Sequence, residues 1–238
     1  MPTILIIKTG STLPALKAQK GDFEDWTRAG MDPNGAEVQV VDVVAGEPLP
    51  AYEAVAGVAV TGSHSMVTER LAWSERTAEW LAGAVAHHVP TLGICYGHQL
   101  LAHALGGAVA DNPLGREYGT VEVRLAEPAR TDLLLGDLPD PLPVQVCHTQ
   151  SVLRLPEGAV RLASGARDAN QAFRVGACAW GVQFHPEFDA AVVRAYIDHM
   201  RPLLAAENQN ADQLRATCVD HPYGSEILRR FARLALEA

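Results

Sequence analysis

The chain has 238 residues, 48% of them hydrophobic and 20% charged, with a formal net charge of -9. That length suits one large domain or two small ones, with a core hiding roughly 70% of the unfolded surface. The acidic balance argues against nucleic acid as the main partner, because phosphate binding needs a basic face. No stretch approaches the roughly 20 apolar residues of a membrane span.

In chain order, Thr3–Gly10 (TILIIKTG) is a short apolar run ended by a glycine, the pattern of a buried strand. Its approach lacks the basic region of a signal peptide. Ala36–Gly46 is β-branched and reads as a second strand, and Ala54–Ser65 as a third that breaks into a small-residue loop. Glu75–His88 has helical spacing. Val89–Cys95 is again a strand, followed by a helix that ends at Gly106-Gly107. Strands alternating with helices predict an α/β fold: an open, mostly parallel sheet with helices on both faces.

The middle departs from that rhythm. Gly119–Leu125, Leu142–His148 and Ala159–Gly165 are short and partly alternating, as in a small antiparallel extension or inserted sheet. Cys178–Phe188 returns to a strand, and a helix follows from Asp189 to Glu207. Ser225–Ala238 is amphipathic behind the turn Asp220–Gly224. With no repeat and no long linker, one domain over 1–238 is expected, with a C-terminal helical extension at about 205–238. The four cysteines, Cys95, Cys147, Cys178 and Cys218, have no CxxC spacing and predict reduced thiols in the cytoplasm.

Cys95 sits between Gly93 and Gly97 in G-I-C-Y-G, a strand–turn–helix that reads as a nucleophile elbow. The strained turn needs small neighbours, and the helix N-terminus favours a thiolate. On this motif alone a buried structural cysteine remains as good a reading. A base shifts the balance. Gly181–Phe184 ends a strand and is followed by His185, Pro186 and Glu187. In extended backbone i and i+2 share a face, and the proline stiffens the spacing. A histidine to take the thiol proton and a carboxylate to orient it complete a Cys–His–Glu triad. The other histidines offer no metal-ligand spacing; His87-His88 reads as a solvated turn, and Cys147-His148 point to opposite faces of a strand. No metal or cofactor is expected.

GICYGHQLL about 90 residues before GVQFHPE resembles the class I glutamine amidotransferase family, and most closely the glutaminase domain of GMP synthetase and its stand-alone relatives. The resemblance runs from about Thr3 to Phe188. It implies that Cys95 attacks the side-chain amide of glutamine, that His185 serves as base and then acid, and that Glu187 orients it. It further implies an oxyanion hole from the backbone N–H groups of Gly62 and Tyr96. The Gly62 loop, Thr61–Ser65 (TGSHS), departs from the family's usual S-G-G-P-x-S. Gln99, Thr149, Gln150 and Ser151 are the implied substrate contacts, with Arg116–Gly119 closing the pocket. The expected activity is hydrolysis of glutamine to glutamate and ammonia for an acceptor on a separate synthetase partner. The chain stops about 50 residues after Glu187, too soon for a synthetase domain. The alternatives are a free-standing γ-glutamyl peptide hydrolase and a catalytically idle binding protein on the same fold. His64, bulky at the centre of its loop, is expected to narrow the leaving-group side and so to favour glutamine.

Overall fold

The computed structural model describes residues 3–33 and 35–237. Nine strands form the main sheet: β1 (Thr3–Lys8), β2 (Glu37–Asp42), β3 (Gly57–Val60), β4 (Thr91–Ile94), β6 (Glu117–Leu125), β7 (Leu142–His148), β9 (Val160–Ser164), β10 (Ala172–Val175) and β11 (Ala179–Val182). Their order is β2-β1-β3-β4-β11-β10-β9-β6-β7. The first five run parallel, and every pairing from β11 outward is antiparallel. The parallel strands β1, β3, β4 and β11 are buried along nearly their whole length, because helices cover both faces. The three short alternating segments therefore prolong the main sheet through β10. A separate two-stranded ribbon joins β5 (Ala108–Asp111) to β8 (Gln150–Arg154).

The helices are α1 (Pro14–Lys20), α2 (Phe23–Met31), α3 (Ala72–Ala86), α4 (Tyr96–Ala104), α5 (Ala190–Ala206), α6 (Ala211–Thr217) and α7 (Tyr223–Glu237). The first two occupy the interval between the two predicted N-terminal strands. Pro14 opens α1. Asp22 caps α2 in a reciprocal box with Asp25, its side chain accepting from Phe23 N at 2.9 Å while its own N–H reaches Asp25 at 2.9 Å.

The expected C-terminal extension is not an appendage. The 205 boundary falls inside α5, and Ile227, Leu228, Phe231, Ala232 and Ala235 of α7 lie in the core cluster that also holds Ile4, Ile94 and Trp180. At the start of α7, Gly224 packs on the backbone of Pro186, where a Cβ would overlap the Pro186 carbonyl. Among the described residues no helix is long and apolar enough to cross a membrane.

Candidate active site

Cys95 follows β4 directly and caps α4 with φ 51 and ψ -98. A non-glycine residue at positive φ is strained and persists only where its surroundings hold it. The flanking glycines explain how. A Cβ on Gly93 would collide with the backbone of Gly97, and one on Gly97 would come within 2.5 Å of the Val60 carbonyl. The turn is compressed against β3, so neither position admits a side chain. Cys95 is 6% exposed and its Sγ lies 3.8 Å from the Cys147 carbonyl.

His185 and Glu187 lie just beyond β11, the neighbour of β4, so their turn ends at the same sheet edge as the elbow. His185 Nδ1 lies 2.7 Å from Glu187 Oε1, and the Glu187 side chain is fully buried. That contact places a proton on Nδ1 and leaves Nε2 for the sulfur side. Burial works against an imidazolium here, but the negative charges of Glu187 and Cys95 outweigh it and raise the His185 pKa to about 10. Phe188 stacks on the His185 ring at 3.9 Å between centroids and fixes its plane.

The loop Thr61–Ser65 is anchored from below. Thr9 Oγ1 lies 2.9 Å from the Thr61 carbonyl and 3.0 Å from the Gly62 carbonyl. In a trans peptide the N–H opposes the C=O, so the Gly62 N–H points away from Thr9. A Cβ on Gly62 would lie 3.0 Å from His185 Cε1 and 4.0 Å from Cys95 Cβ, which places this glycine against the triad. Thr61, where the family carries glycine, contributes a second anchor: its Oγ1 accepts from Thr9 N at 3.1 Å. Tyr96 opens α4, where backbone N–H groups have no partner within the helix. Its side chain is held at 2.6 Å from Ser74 Oγ.

A cavity of about 290 Å³ opens at Cys95 and His185. Gln99, Thr149 and Gln150 line it. Gln99 Nε2 spends both hydrogens on the Gln150 carbonyl (2.8 Å) and Gln183 Oε1 (3.0 Å), leaving its oxygen for a ligand. The Gln150 side chain is held by Thr68 Oγ1 at 2.7 Å and Asp111 Oδ1 at 2.9 Å, and its carbonyl is held by Gln99 and His148, so the residue is fixed from both ends. Ser151 is a correction: it is buried within β8 and does not line the cavity, because its side chain alternates away from that of Gln150.

Of the Arg116–Gly119 segment, Tyr118 lines the cavity, Arg116 pairs with Glu207, and Glu117 is turned inward. Glu117 Oε2 lies 3.0 Å from His148 Nε2 and accepts from Gln171 Nε2 at 2.8 Å. His148 Nδ1 faces the Gln150 carbonyl at 2.9 Å, so Cys147 and His148, although both border the cavity, form no pair. Among the described residues no group of three or more His, Cys, Asp or Glu side chains is placed to hold a metal ion.

The remaining wall was not legible as site. Phe23 from α2, Phe188, and Tyr196, His199 and Met200 from α5 close the cavity beside His185. Phe188 follows the His-Pro-Glu turn directly, and the helix cap at Asp22 is the signal that would have located Phe23.

A strained cysteine on a strand-to-helix turn and a carboxylate-held histidine at the neighbouring strand end meet at one edge of a parallel sheet in an α/β fold. A family model for glutamine amidotransferase class-I matches residues 24–197, and the chain belongs to that family. It is 39% identical over 142 residues to a GMP synthase of Aeropyrum pernix, covering 60% of this chain and 25% of that protein. It is 29% identical over 131 residues to gamma-glutamyl peptidase 3 of Arabidopsis thaliana, covering 53% and 52%. The chain spans about a quarter of the length of the curated GMP synthases it matches. Among solved structures, a glutamine amidotransferase of Methylobacillus flagellatus superposes with TM-score 0.78 at 26% identity, covering 99% of this chain and 94% of that one. A glutamine amidotransferase of Thermotoga maritima gives TM-score 0.75 at 23% identity, covering 98% of both chains, a likeness of fold.

Proposed function

We propose that the chain hydrolyses the γ-amide of a glutamyl substrate, with glutamine the reference substrate, through Cys95, His185 and Glu187. The observation that carries this reading is the His185–Glu187 contact at 2.7 Å beside a cysteine held at positive φ. Cys95 passes its thiol proton to His185 Nε2, its Sγ attacks the amide carbon, and the oxyanion forms against the N–H groups of Gly62 and Tyr96. His185 Nε2 protonates the departing nitrogen as the C–N bond breaks. Water then attacks the thioester, with His185 as base, releasing glutamate and restoring the thiol. Gln99 Oε1 and the Thr149–Gln150 segment of the cavity wall face the amino-acid end; Ser151 does not line the cavity. In the amidotransferase form of this reading, ammonia passes to an acceptor on a separate synthetase partner. The GMP synthase relatives support that form, whereas the gamma-glutamyl peptidase relative and the open cavity beside His185 support release of a larger amine by the same steps.

The test is glutamate release from glutamine and γ-glutamyl dipeptides, with intact-mass detection of an acyl adduct on rapid acid quench. An adduct at Cys95, absent in Cys95→Ala, is the expected result. Turnover that survives Cys95→Ala would overturn the assignment.

A further inference from the structure

The wall beside the catalytic base is larger and less polar than ammonia release requires. His185 delivers its proton to the leaving nitrogen, so whatever that nitrogen carries must lie against the residues next to the His185 ring. Those residues are aromatic and contiguous. Phe188 stacks on His185 at 3.9 Å, Phe23 lies 6.1 Å from Phe188, and Tyr196 lies 5.6 Å from Phe188 on another side. His64 does not fill the space its loop position suggests. Its Nε2 is held 3.1 Å from Tyr196 Oη, which itself lies 2.9 Å from Thr12 Oγ1. The ring stands edge-on to Phe23 at 6.3 Å, as part of the wall. Leu13 and Met200 complete the rim.

No Asp, Glu, Lys or Arg side chain lines the cavity among the described residues. Burial, together with neighbouring His199 and His185, lowers the His64 pKa and keeps that ring neutral. A leaving amine bearing a carboxylate, as every γ-glutamyl amino acid does, would lose its hydration there against aromatic rings, with His185, already paired to Glu187, as the nearest charged group. An uncharged apolar amine would instead bury carbon against four rings.

Resting on the γ-glutamyl hydrolase reading above, we infer that the aromatic wall is a leaving-group subsite, and that the preferred substrates are γ-glutamyl amides of neutral, apolar primary amines. The reaction balances as for glutamine: the C–N bond breaks, His185 protonates the amine nitrogen, and water takes the acyl group from Cys95 to give glutamate. Burying a phenyl-sized group is worth about tenfold to hundredfold in binding.

The experiment compares glutamine, γ-glutamylglycine and γ-glutamylbenzylamide at pH 8, on the full chain, by glutamate release. The benzylamide and glycine substrates both release primary alkylamines, so the comparison turns on the amine's substituent. Expected is a kcat/KM for the benzylamide at least about tenfold above those for the other two. Equal or higher kcat/KM for glutamine or γ-glutamylglycine overturns the inference. His199→Arg, at an exposed rim position, is expected to raise kcat/KM for γ-glutamylglycine about tenfold and to lower that for the benzylamide; no change in their ratio counts against the wall's role. Calorimetric binding to Cys95→Ala separates this claim from the one beneath it. Benzylamide binding tenfold tighter than glutamine, with no cleavage by the unmodified protein, would uphold the subsite and overturn the hydrolase reading. Equal binding would overturn the subsite whatever the turnover.

Discussion

Two buried histidine–glutamate pairs face the same cavity, and they differ in what they leave free. His185 gives Nδ1 to Glu187 at 2.7 Å and keeps Nε2 beside the sulfur. His148 gives Nε2 to Glu117 at 3.0 Å and Nδ1 to the Gln150 carbonyl at 2.9 Å, so nothing remains for proton transfer. The first pair leaves one ring nitrogen uncommitted, as the proposed proton transfer requires. The second is arranged to hold a turn, because the carbonyl it grips belongs to the first residue of β8 and also accepts from Gln99. A buried histidine–carboxylate pair alone therefore does not mark a catalytic dyad; the fate of the second ring nitrogen does.

The sharpest way to break this comparison is to neutralise both carboxylates. Glu187→Gln removes the charge that stabilises a protonated His185 and puts an NH2 donor beside Oε1, so the tautomer is no longer fixed. Turnover should fall about 10²- to 10⁴-fold, with KM and melting temperature little changed. Glu117→Gln should do the reverse. His148 and Gln171 both meet Glu117 Oε2, and an amide can keep that oxygen in place but loses the charge and buries an NH2 where the other carboxylate oxygen stood, at a cost of about 1–3 kcal/mol of stability. KM should rise as the Gln150 turn loosens, and alkylation of Cys95 by limiting iodoacetamide should keep its rate. A kcat loss in Glu117→Gln as large as that in Glu187→Gln would erase the distinction between the pairs.

A smaller effect sharpens it through pH. His185 is more basic folded than unfolded, so its charge stabilises the fold fully below the unfolded value of about 6.5 and loses that contribution as pH rises through about 10. Cys95→Ala deletes one of the two neighbours that raise the His185 pKa. The His185 midpoint should drop, and the alkaline loss of stability should begin at lower pH, a difference of about 1 kcal/mol for each pKa unit. Melting curves from pH 6 to 11 on both proteins measure it. An unchanged midpoint would mean that Glu187 alone charges the ring.

The two pairs also differ in legibility. His185 and Glu187 are two residues apart with a proline between, and local geometry dictates their meeting. Glu117 and His148 are 31 residues apart and meet only because β6 and β7 pair in the register Glu117↔His148. Short-range spacing revealed the elbow, the parallel strands and the long helices for the same reason. It did not reveal β10, four residues in a loop-rich stretch, nor α1 and α2, each under three turns and separated by Gly21. Phe23 escaped with them. Ser151 was wrongly grouped with its neighbours because a motif takes residues in a row, whereas a strand sends alternate side chains to opposite sides.

The contact between Gly224 and Pro186 has a consequence for how the protein is made. The His-Pro-Glu turn is backed by the first turn of α7, and α7 in turn fills the core against β1 and β3. A ribosome synthesises the elbow long before it synthesises that support. The nascent chain carries its thiol, unprotected by a settled base or a closed pocket, until α7 has emerged and docked. The proposed site is thus incomplete in the nascent chain, and its last support arrives with a helix that lies outside the cavity.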